Sequence, residues 1–217
     1  MLDALVAVGV SAWLGCQQQE GPTLETELAS IAEGWDEARY EITDENSQVV
    51  ALGVLATEAE LLAQRYPNDI RVRIWQGVIL IGEADDAGWI DALRYAGQAN
   101  ELLLAAERQP LDGSTSIMVE TALGVLYGQA PPFPISFGDG RIAEAHFRRA
   151  LAGDPTGVEA NFYYADFLVR EHRERDAIAP LQRALLAPSR PGREIGDQAL
   201  HQQAQRLLTE VRHRTRS

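Results

Sequence analysis

The feature that most limits what this chain can fold into is a three-residue stripe that occurs three times. Ala99, Leu103 and Ala106 precede Pro110; Ala143, Phe147 and Ala150 precede Pro155; Ala177, Leu181 and Ala184 precede Pro188. Small, large and small at i, i+4 and i+7 share one face of an α-helix and no face of a strand. The second and third stripes are 34 residues apart, with the proline one residue early in the third. The small residues admit a neighbouring helix, and the large one fills the gap. A mark on a preceding helix accompanies each stripe: Gly77 and Gly124 stand three residues before Leu80 and Tyr127, and Ala165 three before Leu168. Such periodicity predicts stacked helix pairs.

The rest of the chain agrees with this. Leu24, Leu28, Ile31, Trp35, Ala38 and Ile42 predict a first helix over about 24–40. Thr43 can cap a second to Arg65, and Asn68 or Asp69 a third from Ile70 to Gly82. Further helices are predicted over about 88–108, 115–127, 141–152, 158–170, 175–186 and 194–211, separated by Pro110, Pro131–Pro134, Pro155, Pro188 and Pro191. Thr156-Gly157-Val158-Glu159 reads as a capping box, and Asp139 as the cap of the sixth helix. The last helix, ending near residue 213, has one apolar face and reads as a C-terminal cap. Nothing alternates like a strand. The class is all-α, with about nine helices in one domain over residues 23–217. Hydrophobic residues make up 46% of the 217, enough for a buried core.

The stripes, and above all Tyr164, Ala165, Leu168, Ala177, Leu181 and Ala184 within residues 158–188, resemble the tetratricopeptide repeat, a 34-residue helix–turn–helix unit. The resemblance covers about residues 46–188. It departs from the family between Gly77 and Ala99 and between Gly124 and Ala143, where two segments of 10 and 7 residues are inserted. The second insertion holds three prolines, Phe133, Ile135 and Phe137 before Gly138-Asp139-Gly140. With Asp154-Pro155 and Asn161-Phe162-Tyr163-Tyr164, it resembles bacterial envelope repeat proteins. It is more broadly similar to the T-component of tripartite periplasmic (TRAP) transporters. These resemblances imply a periplasmic, non-enzymatic scaffold that binds a protein or peptide through its concave face. The alternative they imply is an accessory subunit of a transport system that takes an apolar small ligand.

The family's groove positions, carried onto this chain, are Arg71, Ile74, Val78 and Ile81; Met118, Thr121, Val125 and Gly128; and Glu159, Phe162, Asp166 and Val169. An open groove suits a peptide or helix. A groove closed by the insertions or terminal helices leaves a cavity. A loop as apolar as residues 130–140 should pack against something, and Phe133 and Phe137 are expected to turn inward, as a rim or plug of the site or as a seal on the helix pair.

Residues 4–14 form an apolar run ending in Gly15-Cys16, too short to span a bilayer. The arrangement resembles a bacterial lipoprotein leader, with Cys16 lipidated and residues 17–22 as a tether. Trp13 and the absence of Arg or Lys ahead of the run depart from that pattern. A simply cleaved signal and a buried N-terminal helix remain open. Membrane contact is expected only through such an anchor.

Charge and spacing exclude other classes. The net charge is −13; residues 1–100 hold 17 of the 32 acids and only 5 of the 19 basic residues, all of which are Arg. That argues against a nucleic-acid partner and favours a basic one, or simply a solvated surface. Self-association stays open. One cysteine permits no intramolecular disulfide and no cysteine-based metal site. None of His146, His172, His201 and His213 pairs with a second His or a Glu at metal-ligand helical spacing of the HExxH kind. Asp85-Asp86 reads as a solvated loop, and Gly138-Asp139-Gly140 lacks the lysine of a phosphate loop. No catalytic residue, cofactor or metal is expected.

Overall fold

The structure, a computed structural model, describes residues 21–215. The apolar run 4–14 and Cys16 lie outside the described residues. The order is α1 (Leu24–Asp36) running into a π-helical turn (Glu37–Glu41), then α2 (Glu45–Arg65), α3 (Ile70–Asp86), α4 (Trp89–Glu107), α5 (Gly113–Gln129), α6 (Gly140–Gly153), α7 (Val158–Arg170), α8 (Glu174–Leu186) and α9 (Glu194–Arg214). Among the described residues there is no β-strand, and no helix is long and apolar enough to cross a membrane.

Short polar residues start five of the helices. Thr23, Asp44, Asp69, Asp112 and Asp139 each accept a hydrogen bond from a backbone N–H of the first turn. Asp44, not Thr43, therefore caps α2, and Asp139 caps α6 as read. The capping box of α7 does not form. Thr156 instead donates its hydroxyl to Asp154 Oδ1 at 3.0 Å, and Gly157 is the N-cap. Glu159 is drawn away by arginines described below. Asn161, fully buried, secures this turn by donating to the carbonyls of Pro155 and Gly157 while accepting from Arg183.

Helices pack as consecutive pairs, α3 with α4, α5 with α6 and α7 with α8, and α9 covers α8. The odd-numbered helices also touch in order, α1 to α3, α5, α7 and α9. All nine stripe residues sit between paired helices at 0–1% exposure. Their small partners are needed for the approach: a Cβ on Gly124 would lie 2.8 Å from the Phe147 ring, and one on Gly77 2.9 Å from Leu103.

The insertions are absorbed differently. The first becomes helix: α3 and α4 have 17 and 19 residues against 13 each in α7 and α8, with only residues 87–88 between them. Asp85 and Asp86 consequently lie in the last turn of α3, not in a loop, and Asp85 is paired with Arg39. The second insertion lengthens α5 to 17 residues and leaves the loop 130–139. The π-helical turn brings the N-terminal part of the chain against α9.

Candidate functional site

Two places concentrate features that packing alone does not require. The first is the inner face, where α1, α3, α5 and α7 converge. Trp35, Trp75, Val78, Met118, Thr121 and Val125 surround a cavity of about 60 Å³, closed on one side by Glu159, Tyr163 and Arg193. That volume holds a few water molecules and no peptide side chain of size. Thr121 lines it, and its hydroxyl is buried without a hydrogen-bond partner.

Ion pairs seal this face. Arg193 donates to both oxygens of Asp36 at 2.8 Å, a bidentate pair across 157 residues of sequence. Its guanidinium also lies 5.7 Å from the Trp75 ring centre. Arg190 donates to Glu159 at 2.7 Å and, through its side chain and backbone N–H, to the fully buried Asp197. Gly196 lets the clasp close, since a Cβ there would lie 2.6 Å from Asp36 Oδ1. Burial opposes the charge on Glu159, but Arg193 and Arg190 outweigh it and hold the carboxyl below its ordinary range. The Tyr40 and Tyr163 hydroxyls meet at 3.1 Å. Burial, then each other's company, pushes Tyr40 well up, and burial raises Tyr163.

The second place is a cleft of about 390 Å³ between α3, α4 and the loop 130–139. Ile81, Trp89, Leu93, Leu126, Pro131 and Ile135 line it. Two of its lining residues are large, apolar and exposed, Trp89 at 73% and Ile135 at 65%; their chain neighbours Ile90 and Phe133 are 64% and 87% exposed. The loop does not drift. Gly138 N–H donates to Pro131 O at 3.0 Å, Asp139 N–H to Tyr127 O at 3.1 Å, and the Phe137 ring packs edge-on against Tyr127 at 5.3 Å.

The residues expected in the groove divide accordingly. Val78, Ile81, Met118, Thr121, Val125 and Glu159 do come together around the inner cavity. Arg71 does not; it is held at the start of α3 by Asp69 and Glu25. Ile74 is buried at 1% in the core between α3, α4 and α5, and Phe162 is buried against α9. Asp166 pairs with Arg170 one turn along α7. Phe137 is partly buried against Tyr127 and lines neither cavity. Phe133, expected to turn inward, is 87% exposed instead.

Trp35, Trp75, Tyr163 and Arg193 line the cavity without having been singled out from sequence. Trp35 and Trp75 carried the signal of large side chains on apolar helix faces. Arg193, beyond the last repeat, carried none. A third cluster, Glu107, Glu120 and His146, gathers from α4, α5 and α6, which helical spacing within one element could not show. No family model matches the chain, and no curated protein sequence is significantly similar to it.

Proposed function

We propose that this protein is a non-enzymatic interaction scaffold, built as a tetratricopeptide-like helical array and anchored in the bacterial cell envelope through Cys16. The observation that carries the binding role is where the two insertions end up. The extra length of α3 and α4 and the loop 130–139 interrupt the repeat at separate points in sequence, yet they meet and build one apolar cleft. Its volume lies in the range of pockets that bind apolar anchors. Trp89 and Ile135, exposed in its lining, are what a partner would cover. The inner face, closed by charges and with about 60 Å³ of space, is the poorer seat for a peptide.

The occupant that fits is a segment of a partner protein with an apolar face and Arg or Lys at its edge. Asp85, Asp86 and Asp91 stand beside Trp89 and Ile90, and the first 100 residues are strongly acidic. A displayed library of short amphipathic peptides, selected on the full chain, tests this. Apolar, basic-flanked peptides that lose at least tenfold in affinity against Trp89→Ala and Ile135→Ser are expected. Selection that is indifferent to both substitutions overturns the cleft as the docking site.

The second reading, an accessory subunit for a small ligand, rests on the inner cavity and on the unpartnered hydroxyl of Thr121, one of its lining residues. A ligand there has room for only a few heavy atoms. It would raise the melting temperature of the parent chain more than that of Thr121→Val.

A further inference from the structure

The Glu107, Glu120 and His146 cluster has no part in the scaffold reading, and its geometry contains a contradiction. Glu107 ends α4, Glu120 lies in the middle of α5, and His146 lies on α6. Glu120 and His146 are both buried, at 9% and 4% exposure. His146 Nδ1 stands 2.8 Å from Glu120 Oε2 and 3.9 Å from Glu107 Oε1. Arg149, one turn on, reaches over them: Nε to Glu120 Oε2 at 2.9 Å, Nη2 to Glu107 Oε1 at 3.2 Å, and Nη2 to His146 Nδ1 at 2.6 Å.

An imidazole Nδ1 either donates or accepts; it cannot do both. The Arg149 guanidinium, donor only, requires an acceptor there. Glu120 Oε2, as a carboxylate oxygen an acceptor, requires a donor. One of the two short contacts is unfavourable in either tautomer. A metal ion satisfies all three ligand atoms at once, because each presents a lone pair to it. One ligand atom from each residue lies within 4.8 Å of the others. The two measured separations from Nδ1 bracket the distance of about 3.3 Å between neighbouring ligands of a tetrahedral ion with bonds near 2.0 Å. The imidazole is held in place by stacking on Tyr127, 5.6 Å between ring centres and 17° between planes.

We propose that Glu107, Glu120 and His146 bind a borderline divalent cation of the Zn²⁺ class, and that Arg149 occupies the site as a surrogate cation until the metal displaces it. A nitrogen ligand selects against Mg²⁺ and Ca²⁺, which prefer all-oxygen shells. Three protein ligands leave a fourth position for water, on the side from which the half-exposed Arg149 side chain enters. The ion would tie α4, α5 and α6 together.

The test is a titration of the full chain with Zn²⁺ by calorimetry and with Co²⁺ by visible absorption, with Mg²⁺ as control. One ion per chain, a Co²⁺ spectrum of tetrahedral intensity and no response to Mg²⁺ are expected. His146→Gln and Glu107→Gln should each weaken Zn²⁺ binding at least tenfold, and Arg149→Gln should tighten it. Should His146→Gln fail to fold, the half-exposed Glu107→Gln carries the same test. Absence of saturable binding, or equal affinity in the parent chain and these ligand variants, overturns the site. Weaker binding in Arg149→Gln overturns the displacement of Arg149 by the metal.

Discussion

The inner face and the α3–α4 cleft are opposites. The inner face gathers Asp36, Glu159, Arg190, Arg193 and Asp197, yet it leaves only about 60 Å³ of space. The cleft gathers Trp89, Leu93, Pro131 and Ile135, yet about 390 Å³ stays unfilled. Polarity alone would have assigned them the other way. Charges can be closed over when their geometry pairs each of them, as the bidentate Arg193–Asp36 contact does. Apolar side chains stay exposed here at the start of α4 and in the loop 130–139. An unpaired apolar edge is thus the better sign of a partner than a buried charge.

That contrast can be broken most forcefully on the charged side. Asp36→Ala leaves Arg193 without its bidentate partner and is expected to cost about 3–5 kcal/mol. That corresponds to a fall of roughly 10 °C in melting temperature, read by circular dichroism. Asp36→Leu combined with Arg193→Met should recover much of the loss; an undiminished loss would mean that the pair contributes more than filling space. Next come Ala150→Leu and Ala184→Leu, each at a fully buried stripe position. Each should cost about 1–3 kcal/mol in urea unfolding by overpacking the helix pair.

Acid should loosen the inner face by a smaller amount. The Glu159 carboxyl titrates lower in the folded chain than its ordinary value of 4.5. Its stabilisation is therefore present above that value and is lost as pH falls through the lower, folded one. Urea midpoints between pH 7 and pH 3 should fall less steeply in Glu159→Gln than in the parent chain. The smallest effect is expected at the cleft. Phe133→Ala should change stability by no more than about 0.5 kcal/mol, because the ring is exposed. It should nevertheless weaken the peptides selected for the cleft. A large stability loss would instead make Phe133 a seal on the helix pair, the other of its two expected roles.

The helices were legible because their signals are local. Stripe spacing, proline breaks and Asp caps act within a few residues, and the stripes' small partners, Gly77 and Gly124, could be recognised by their own spacing. What escaped was set by distance. Thr156 and Glu159 satisfy the capping-box pattern, but Arg190 and Arg193 draw Glu159 toward α9 from more than 30 residues away. The cleft needed two insertions to meet, and their lengths said nothing of their direction. The three-helix cluster around His146 had no spacing signature, since each ligand arrives on a different element. Phe133 and Phe137 looked equivalent in sequence; only the position of Tyr127 separates them.

The clasp between Asp36 and Arg193 also changes how the molecule should come apart. Helix pairs that touch only their neighbours can unravel from either end, one unit at a time. Here the end of α1 is fastened to the residue that precedes α9, so fraying at one end must release the other. The entropy of joining such distant points grows only slowly with the length between them, and a modest clasp can hold a long circuit. Urea unfolding followed at Trp35 and at α9 should then show one shared transition. Opening the clasp with Asp36→Ala should split it into two.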